Sequence, residues 1–256
     1  MKRILAWAAC TLLGAGCHAQ GIGQLADVRV IDRDSGDSLA INYYRGEYWV
    51  AGRPGARYAI EIRNHVGGRM LAVTSVDGVN VLSGETAAWN QSGYVFTPGE
   101  RYQISGWRKS DSQVAALVFT ASPNSYAERT GRPANIGVIG IALFKERLQL
   151  PAYVPPESDS KRSESLLAGN RSAPVASSTP LGPKLGTAHG EREDSFVART
   201  EFERLQSEPN EIIRIHYDSK ENLLAMGVLR RPHLQPNEAN PFPGSPGASY
   251  VPDPPG

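Results

Sequence analysis

The sequence predicts an all-β protein whose main domain is an antiparallel β-sandwich or barrel. Between residues 27 and 145, short apolar runs follow one another and are separated by turn-forming residues. Residues 57–63 alternate between apolar and polar side chains, and Tyr58, Ile60 and Ile62 share the apolar face. This is the pattern of a strand with one face in solvent. Strand runs do not alternate with helical segments, so we do not expect a parallel sheet.

The first half of this region contains further strand runs at residues 28–31, 39–44, 71–76 and 79–82. The last two runs flank Asp77-Gly78. An Asp-Gly pair between two β-rich runs predicts a hairpin with a type I′ turn, because both central residues of that turn need a positive φ.

Two kinds of turn are expected in the second half. Residues 94–105 form two strand runs around a Pro-Gly turn at 97–100. Further along, one helical turn is expected to interrupt the strands. Ser122 can cap its N-terminus, Pro123 suits the first helical position and Gly131 can end it.

The core must stabilise this domain without disulfides. Residues 114–119 and 136–144 are nearly continuous apolar runs, as expected of strands in the middle of a core. The only cysteines, Cys10 and Cys17, lie in or beside a leader-like segment, so the mature chain can form no internal disulfide. The residues expected to be buried are Ile60, Ile62, Val73, Ile104, Val118 and Ile141.

The N-terminus has the pattern of a secretory leader. Two basic residues precede an apolar stretch over residues 4–15, which is shorter than the roughly 20 residues that a bilayer-spanning helix needs. Two processing sites are alternatives: one before Cys17, in a lipobox-like context that would make this cysteine the lipid-modified first residue, and one after Ala19. We expect a signal peptide over residues 1–19, or one ending at residue 16, and an exported protein in the periplasm or outer membrane.

The strand pattern ends after the main domain. Residues 151–194 are rich in Pro, Ser, Ala and Gly. This composition buries too little apolar surface to offset an ordering cost of roughly 1–2 kcal/mol per residue, so we expect a disordered linker. Residues 195–230 then predict a short helix over 200–206 and a C-terminal β-hairpin with arms at 212–217 and 223–229. A free hairpin is marginal in water, so it is expected either to dock on the main domain or to act as a tag for a partner.

These patterns divide the chain into five parts. The net charge of +1 is nearly balanced, so we expect no attraction to nucleic acid and no membrane contact beyond a lipid anchor at Cys17. The parts are a signal peptide (1–19), a β-sandwich domain (25–148), a disordered linker (151–194), a short helix with a β-hairpin (195–230) and a proline-rich tail (231–256).

Six short motifs carry a resemblance to known sequences. They are Tyr44-Arg45-Gly46, Ser75-Val76-Asp77-Gly78-Val79-Asn80-Val81, Gly93-Tyr94-Val95, Gly106-Trp107-Arg108, Asn124-Ser125-Tyr126 and Asn135-Ile136-Gly137-Val138-Ile139-Gly140. Together they make residues 43–144 similar to an uncharacterised family of bacterial envelope proteins. The resemblance implies a single domain over this stretch and no established activity.

No motif for catalysis or metal binding stands out. The five histidines are dispersed, and none has a partner at metal-ligand spacing. Residues 32–37 carry three acids but lack the order of a calcium loop, and we expect a surface turn there. Neither a Gly-x-Ser-x-Gly elbow nor a P-loop is present. We therefore expect no cofactor, no metal and no enzymatic activity.

Aromatic residues beside basic or polar residues are the candidate binding residues. Flat rings next to polar groups can stack on sugars or anchor a partner protein. The same rings could instead fill the core or cover its rim. The binding candidates are Tyr44, Trp49, Trp89, Trp107 and Arg108.

The function expected from these observations is protein–protein interaction or envelope assembly by a non-enzymatic cell-envelope protein. One alternative is a carbohydrate-binding module at the cell surface, and a second is a cryptic hydrolase. The partner would be an envelope protein or a polysaccharide. Exposed coplanar rings would favour the sugar, a histidine near a serine and an acid in a cleft would favour the hydrolase, and an apolar patch under the C-terminal hairpin would favour a protein partner.

Overall fold

The computed structural model describes residues 21–147 and 182–230, which together form one two-sheet β-sandwich. The leader with Cys17, the part of the expected linker over residues 151–181 and the tail over 231–256 lie outside the described residues. The strands are β1 (Ala26–Asp32), β2 (Ile41–Tyr44), β3 (Glu47–Gly52), β4 (Arg57–Asn64), β5 (Met70–Val76), β6 (Val79–Asn80), β7 (Tyr94–Phe96), β8 (Arg101–Ile104), β9 (Gly106–Arg108), β10 (Gln113–Ala121), β11 (Val138–Lys145), β12 (Leu185–Asp194) and β13 (Glu211–Ser219).

The strands form two sheets. Sheet A has the order β1-β4-β10-β12, with β8 beside β4 and β9 beside β10. Sheet B has the order β2-β3-β13-β11-β5-β6, with β7 beside β5. Every pair of these strands is antiparallel except β3 and β13, which are parallel. The expected all-β sandwich is confirmed.

Two short α-helices complete the described structure, α1 (Tyr126–Arg129) and α2 (Lys220–Ala225). Neither these nor any other helix within the described ranges is long and apolar enough to cross a bilayer.

The alternation at residues 57–63 forms β4, and its apolar face lies in the core as predicted. Tyr58 on β4 stacks on Phe119 of β10 with ring centroids 4.1 Å apart. Tyr217, on β13 of the opposite sheet, lies 6.4 Å from Tyr58 and 5.3 Å from Phe119. These three buried rings therefore join the two sheets through direct aromatic contact.

Both predicted strand turns form. Asp77 and Gly78 have φ values of 52° and 74°, as the type I′ turn between β5 and β6 requires. The turn at 97–100 follows β7 and precedes β8, but these two strands do not pair with each other. Instead β7 pairs with β5 in sheet B and β8 pairs with β4 in sheet A, so this turn carries the chain from one sheet to the other.

Five of the six expected core residues are buried, and Val118 is the exception. The alternation of β10 directs Leu117 and Phe119 inward, which leaves Val118 on the opposite face and half-buried. Val73 is buried, but in a small second cluster on the other side of β5 from the main core. There it packs with Leu71 and Phe144.

Ile60→Ala should lower the free energy of unfolding by about 2–5 kcal/mol, because Ile60 is fully buried and opposite Val30 on β1 and Ile104 on β8. Chemical denaturation monitored by circular dichroism measures this change. Arg63→Ala, an exposed site on the same strand, is the matched control and should change stability by less than about 0.5 kcal/mol. Equal stability of the two variants would contradict the position assigned to Ile60.

The predicted linker is wrong over its last ten residues, because 185–194 form β12 and pair with β10 along sheet A. Small residues predicted disorder in this segment, but in a strand they can also be required for close packing. A Cβ on Gly186 would lie 2.7 Å from the Ser125 side chain, and one on Gly190 would lie 2.7 Å from Val118. The glycines that suggested disorder are therefore positions where β12 approaches its neighbours closely.

The predicted C-terminal hairpin is also wrong, because only its first arm is a strand. That arm is β13, which lies between β3 and β11 in the middle of sheet B. The second arm begins as helix α2. Ser219 caps this helix by accepting a hydrogen bond from the Asn222 backbone N–H at 3.2 Å, and Gly227, with a φ of 75°, follows its end. Folding therefore buries Ile213, Ile215, Leu223 and Val228 in the sandwich, although Ile212 stays exposed, and the segment is not a separate tag.

Two helix predictions also change. Residues 200–206 form no helix, and Phe202 packs on the second cluster beside Phe144. The predicted helical turn exists, but it starts with a 3₁₀ turn over Ser122–Asn124. Ser125 caps the following helix α1 by accepting from the Glu128 backbone N–H at 3.1 Å. A favourable capping residue is local information, whereas the docking of Phe202 depends on residues distant in sequence.

Candidate functional site

The five binding candidates lie in three separate parts of the sandwich. Tyr44 and Trp49 lie on the β2–β3 hairpin, Trp89 lies on the loop between β6 and β7, and Trp107 and Arg108 lie on β9. Trp89 is 51% exposed. Within the described residues, the rings contact different partners, so the structure does not assemble them into one aromatic site.

The hairpin aromatics pack mainly on one another. Trp49 stacks on His216 of β13 with ring centroids 4.8 Å apart and planes 29° apart. Burial lowers the pKa of His216, although the Glu47 carboxylate 3.5 Å away acts in the opposite direction. Tyr43 and Tyr48 approach to 5.2 Å but are tilted by 53°. The hairpin therefore does not present two coplanar rings.

Trp107 and Arg108 point to opposite sides of β9, as successive residues of a strand do. Trp107 is only 3% exposed, its Nε1 donates to the Ala188 carbonyl at 3.3 Å, and its ring lies 5.0 Å from Tyr126. This ring fills the core, which was the alternative to a binding role. Arg108 lies on the other side, in a cleft of the surface.

The cleft has a volume of about 620 Å³ and is called the β7 cleft below. One wall is β7 together with Ser92 and Gly93, and the other is the segment 196–200, which belongs to no helix or strand. Leu82, Val95 and the side chains around them supply apolar surface. Phe196 stands at the cleft with 78% of its surface exposed. The combination of apolar walls with a few polar groups is typical of binding sites.

The two walls hydrogen-bond to different parts of the sandwich and not to each other, so a gap remains between them. On one side, β7 pairs with β5 alone. On the other, Ser195 and Val197 donate backbone N–H groups to the carbonyls of Ser112 and Asp111 at 2.8 and 2.9 Å. No backbone hydrogen bond joins β7 to residues 196–200 within the described structure. One edge of β7 therefore faces the cleft without a strand partner.

Arg108 is held at the cleft by neutral oxygen atoms. Its Nη1 donates to the Ser195 carbonyl at 2.5 Å, and its Nη2 donates to the Ser195 hydroxyl and the Tyr94 hydroxyl, both at 3.1 Å. Its Nε is buried without a hydrogen-bond partner. Among the described residues no carboxylate lies within ion-pair distance of this guanidinium. The site thus holds a half-buried positive charge that hydroxyls orient and that no acid neutralises.

The acidic side chains of the cleft are engaged elsewhere. Asp111 lies 3.5 Å from Arg199, and both of these side chains are well exposed. Glu100 accepts hydrogen bonds from the backbone N–H and the hydroxyl of Thr97 at 2.7 and 2.8 Å. Burial raises the pKa of Tyr94, although Arg108 acts in the opposite direction, so this hydroxyl stays a neutral hydrogen-bonding group at neutral pH.

The described part of the chain contains neither a cluster of metal ligands nor a histidine hydrogen-bonded to a serine. No group of three or more His, Cys, Asp or Glu residues there is arranged to hold a metal ion. His189 lies beside Tyr126 at a small cavity of about 290 Å³, and burial together with the nearby Lys109 charge lowers its pKa. Within the described residues neither His189 nor His216 hydrogen-bonds a serine hydroxyl.

A buried polar network around Asp77 was not predicted. One oxygen of the Asp77 carboxylate accepts from the Gly137 backbone N–H at 2.9 Å and the Tyr217 hydroxyl at 2.5 Å, and the other accepts from the Thr187 backbone N–H at 2.8 Å. Burial raises the pKa of Asp77 even though these hydrogen bonds act to lower it. The carboxylate ties β12 and β13 to the β5–β6 turn, which is a structural role.

Among the residues that line the β7 cleft, only Arg108 was a binding candidate from the sequence. Tyr94 and Tyr102 lie in strand runs without a motif that indicates binding, and Ser195 follows a segment whose composition predicts a linker. Strand alternation could have separated Arg108 from Trp107. No local signal shows that residues 196–200 run opposite β7.

No protein-family model matches this chain, and no curated protein or solved structure does either.

Proposed function

We propose that this chain is a non-enzymatic, exported envelope protein that binds an extended segment of a partner protein in the β7 cleft. The observation that carries this proposal is the unpaired edge of β7 along an amphipathic cleft. An extended peptide can add to such an edge, since main-chain hydrogen bonds supply affinity and side-chain pockets supply specificity.

The composition of the cleft supports a protein ligand. Aromatic and arginine side chains dominate binding energy in many protein interfaces, and here Tyr94, Tyr102 and Arg108 meet at one wall. Phe196 adds an exposed ring at the cleft. A volume of about 620 Å³ is enough for several side chains of a peptide.

The cellular location rests on the leader pattern of the first residues and on the resemblance to envelope proteins. The leader would direct export to the periplasm or the outer membrane, with cleavage either before Cys17 or after Ala19. A lipid on Cys17 would be the only membrane attachment that this proposal includes.

The two alternatives have weaker support. A sugar-binding surface favours open, coplanar rings, whereas Tyr43 and Tyr48 are tilted by 53° and one face of Trp49 is covered by His216. A hydrolase favours a histidine bonded to a serine in a cleft. The ionisable side chains that line the β7 cleft are instead arginines, tyrosines and acids, without a histidine among them.

Ala198→Trp should block the cleft, since Ala198 is exposed and lines it. The test uses residues 20–256 to select binders from a library of displayed random peptides. The affinity of the selected peptides is then measured by fluorescence anisotropy. We expect selected peptides to lose at least about tenfold in affinity for the Ala198→Trp variant.

The matched control is Ala40→Trp, because Ala40 is equally exposed but is not part of the cleft. Selected peptides should bind this variant as they bind the original chain, and both variants should keep its melting temperature. Failure to select any peptide, or peptides that bind both variants equally well, would refute the proposal.

A further inference from the structure

The positive charge of Arg108 specifies the ligand of the β7 cleft more closely. Half-buried charges are costly when no opposite charge pairs with them. The Arg108 guanidinium donates only to neutral oxygens, so its positive charge has no opposite charge beside it among the described residues. A carboxylate bound in the cleft would supply the opposite charge. The preferred ligand is therefore an extended segment with an acidic residue next to apolar ones.

The chain itself contains such a segment in its tail. Residues 250–253 read Tyr-Val-Pro-Asp and are followed by two more prolines. Proline fixes φ near −65° and biases the residue before it toward extended backbone. A Tyr-Val-Pro tripeptide also occurs at residues 153–155, so the same short motif is present twice.

Prolines alternate with other residues in this segment, and this spacing is compatible with pairing along a strand edge. Val251 and Asp253 are two residues apart, so in an extended chain their side chains share one face and their N–H groups share one edge. Pro252 and Pro254 fall between and after them. Their missing N–H groups would lie on the outer edge, where proline is tolerated. One apolar group and one carboxylate would then face the cleft together.

We propose that residues 249–254 of the tail occupy the β7 cleft of their own chain, with the Asp253 carboxylate paired to Arg108. The span permits this arrangement. Arg230 ends the described structure, and the 23 residues from there to Asp253 reach up to about 75 Å when extended. A domain of this size has a radius of gyration of only about 16 Å, so every point on its surface is within reach.

This arrangement regulates the binding activity proposed above and rests on it. A tethered segment competes with a free ligand at an effective concentration of about 1 mM for a short flexible connection. If the isolated segment binds with a Kd of about 100 µM, the tail weakens the apparent affinity for a partner about tenfold. A partner must therefore displace the tail, which selects for strong or multivalent ligands.

The test compares residues 20–256 with residues 20–230. The probe is a synthetic peptide of residues 248–255, acetylated and amidated to remove its terminal charges, and binding is measured by fluorescence anisotropy. We expect the peptide to bind the shortened chain at least tenfold more tightly than the longer one, and the shortened chain to melt at a slightly lower temperature because it lacks its tethered ligand. Asp253→Asn in the longer chain should restore binding of the unmodified peptide to the level of the shortened chain.

Three controls separate the outcomes. Ala198→Trp in the shortened chain should abolish binding, and the tenfold difference should not change with protein concentration if the tail acts within one chain. Equal peptide binding to both chains, or a difference that depends on concentration, overturns self-occupancy. If library-selected peptides bind the cleft while the tail peptide does not, only this inference fails. If no peptide binds in a manner sensitive to Ala198→Trp, the proposed function fails as well.

Discussion

Removing residues 151–256 is expected to abolish cooperative folding of the remaining sandwich. The deletion removes β12 from sheet A and β13 from the middle of sheet B, where β13 separates β3 from β11. It also removes the buried Leu185, Ile213, Ile215 and Leu223. At roughly 1.5–3 kcal/mol for each fully buried side chain, these four account for about 6–12 kcal/mol. That amount is comparable to the whole stability of a typical domain, about 5–15 kcal/mol.

Circular dichroism and thermal denaturation of residues 20–150 would measure this effect. The control deletes only residues 231–256 and should keep a cooperative transition, because the described sandwich forms its sheets without them. A soluble 20–150 fragment with a cooperative transition near that of the longer chain would show that the C-terminal strands are dispensable.

Asp77→Ala is expected to cost about 3–5 kcal/mol of unfolding free energy. The substitution leaves the Gly137 and Thr187 backbone N–H groups and the Tyr217 hydroxyl without their acceptor in a buried site. Each unsatisfied buried group costs about 1–3 kcal/mol. Alanine would also have to adopt the positive φ of 52° found at this residue, which adds strain. Urea denaturation gives the value.

Asp77→Asn separates the charge from the backbone effect, because asparagine tolerates a positive φ and does not titrate. Burial raises the pKa of Asp77 in the folded protein. Its proton therefore favours folding fully below the unfolded pKa of about 3.9, and this contribution is lost as the pH rises through the folded pKa. The stability of the original chain relative to Asp77→Asn should fall from pH 4 to pH 7. A difference that stays constant or rises over this range would contradict the direction of the shift.

The features predicted correctly from sequence are those that short segments specify alone. Period-2 alternation identified β4, because a half-buried strand needs apolar side chains on one face only. Asp77-Gly78 identified the turn between β5 and β6, because few residue pairs adopt two positive φ values at low cost. For the same reason the fold class could be predicted, since a succession of such strands without helices can bury its apolar faces only as a sandwich or barrel.

The features that required the tertiary structure depend on partners distant in sequence. The glycine-rich segment 185–194 is a strand because β10, distant in sequence, lies beside it. The candidate site follows the same rule. Sequence could single out Arg108, but its charge lacks a carboxylate only because folding surrounds it with the hydroxyls of Tyr94 and Ser195. Local propensity determined the strands and turns of this protein, whereas long-range pairing decided which edge stayed open and which charge stayed unpaired.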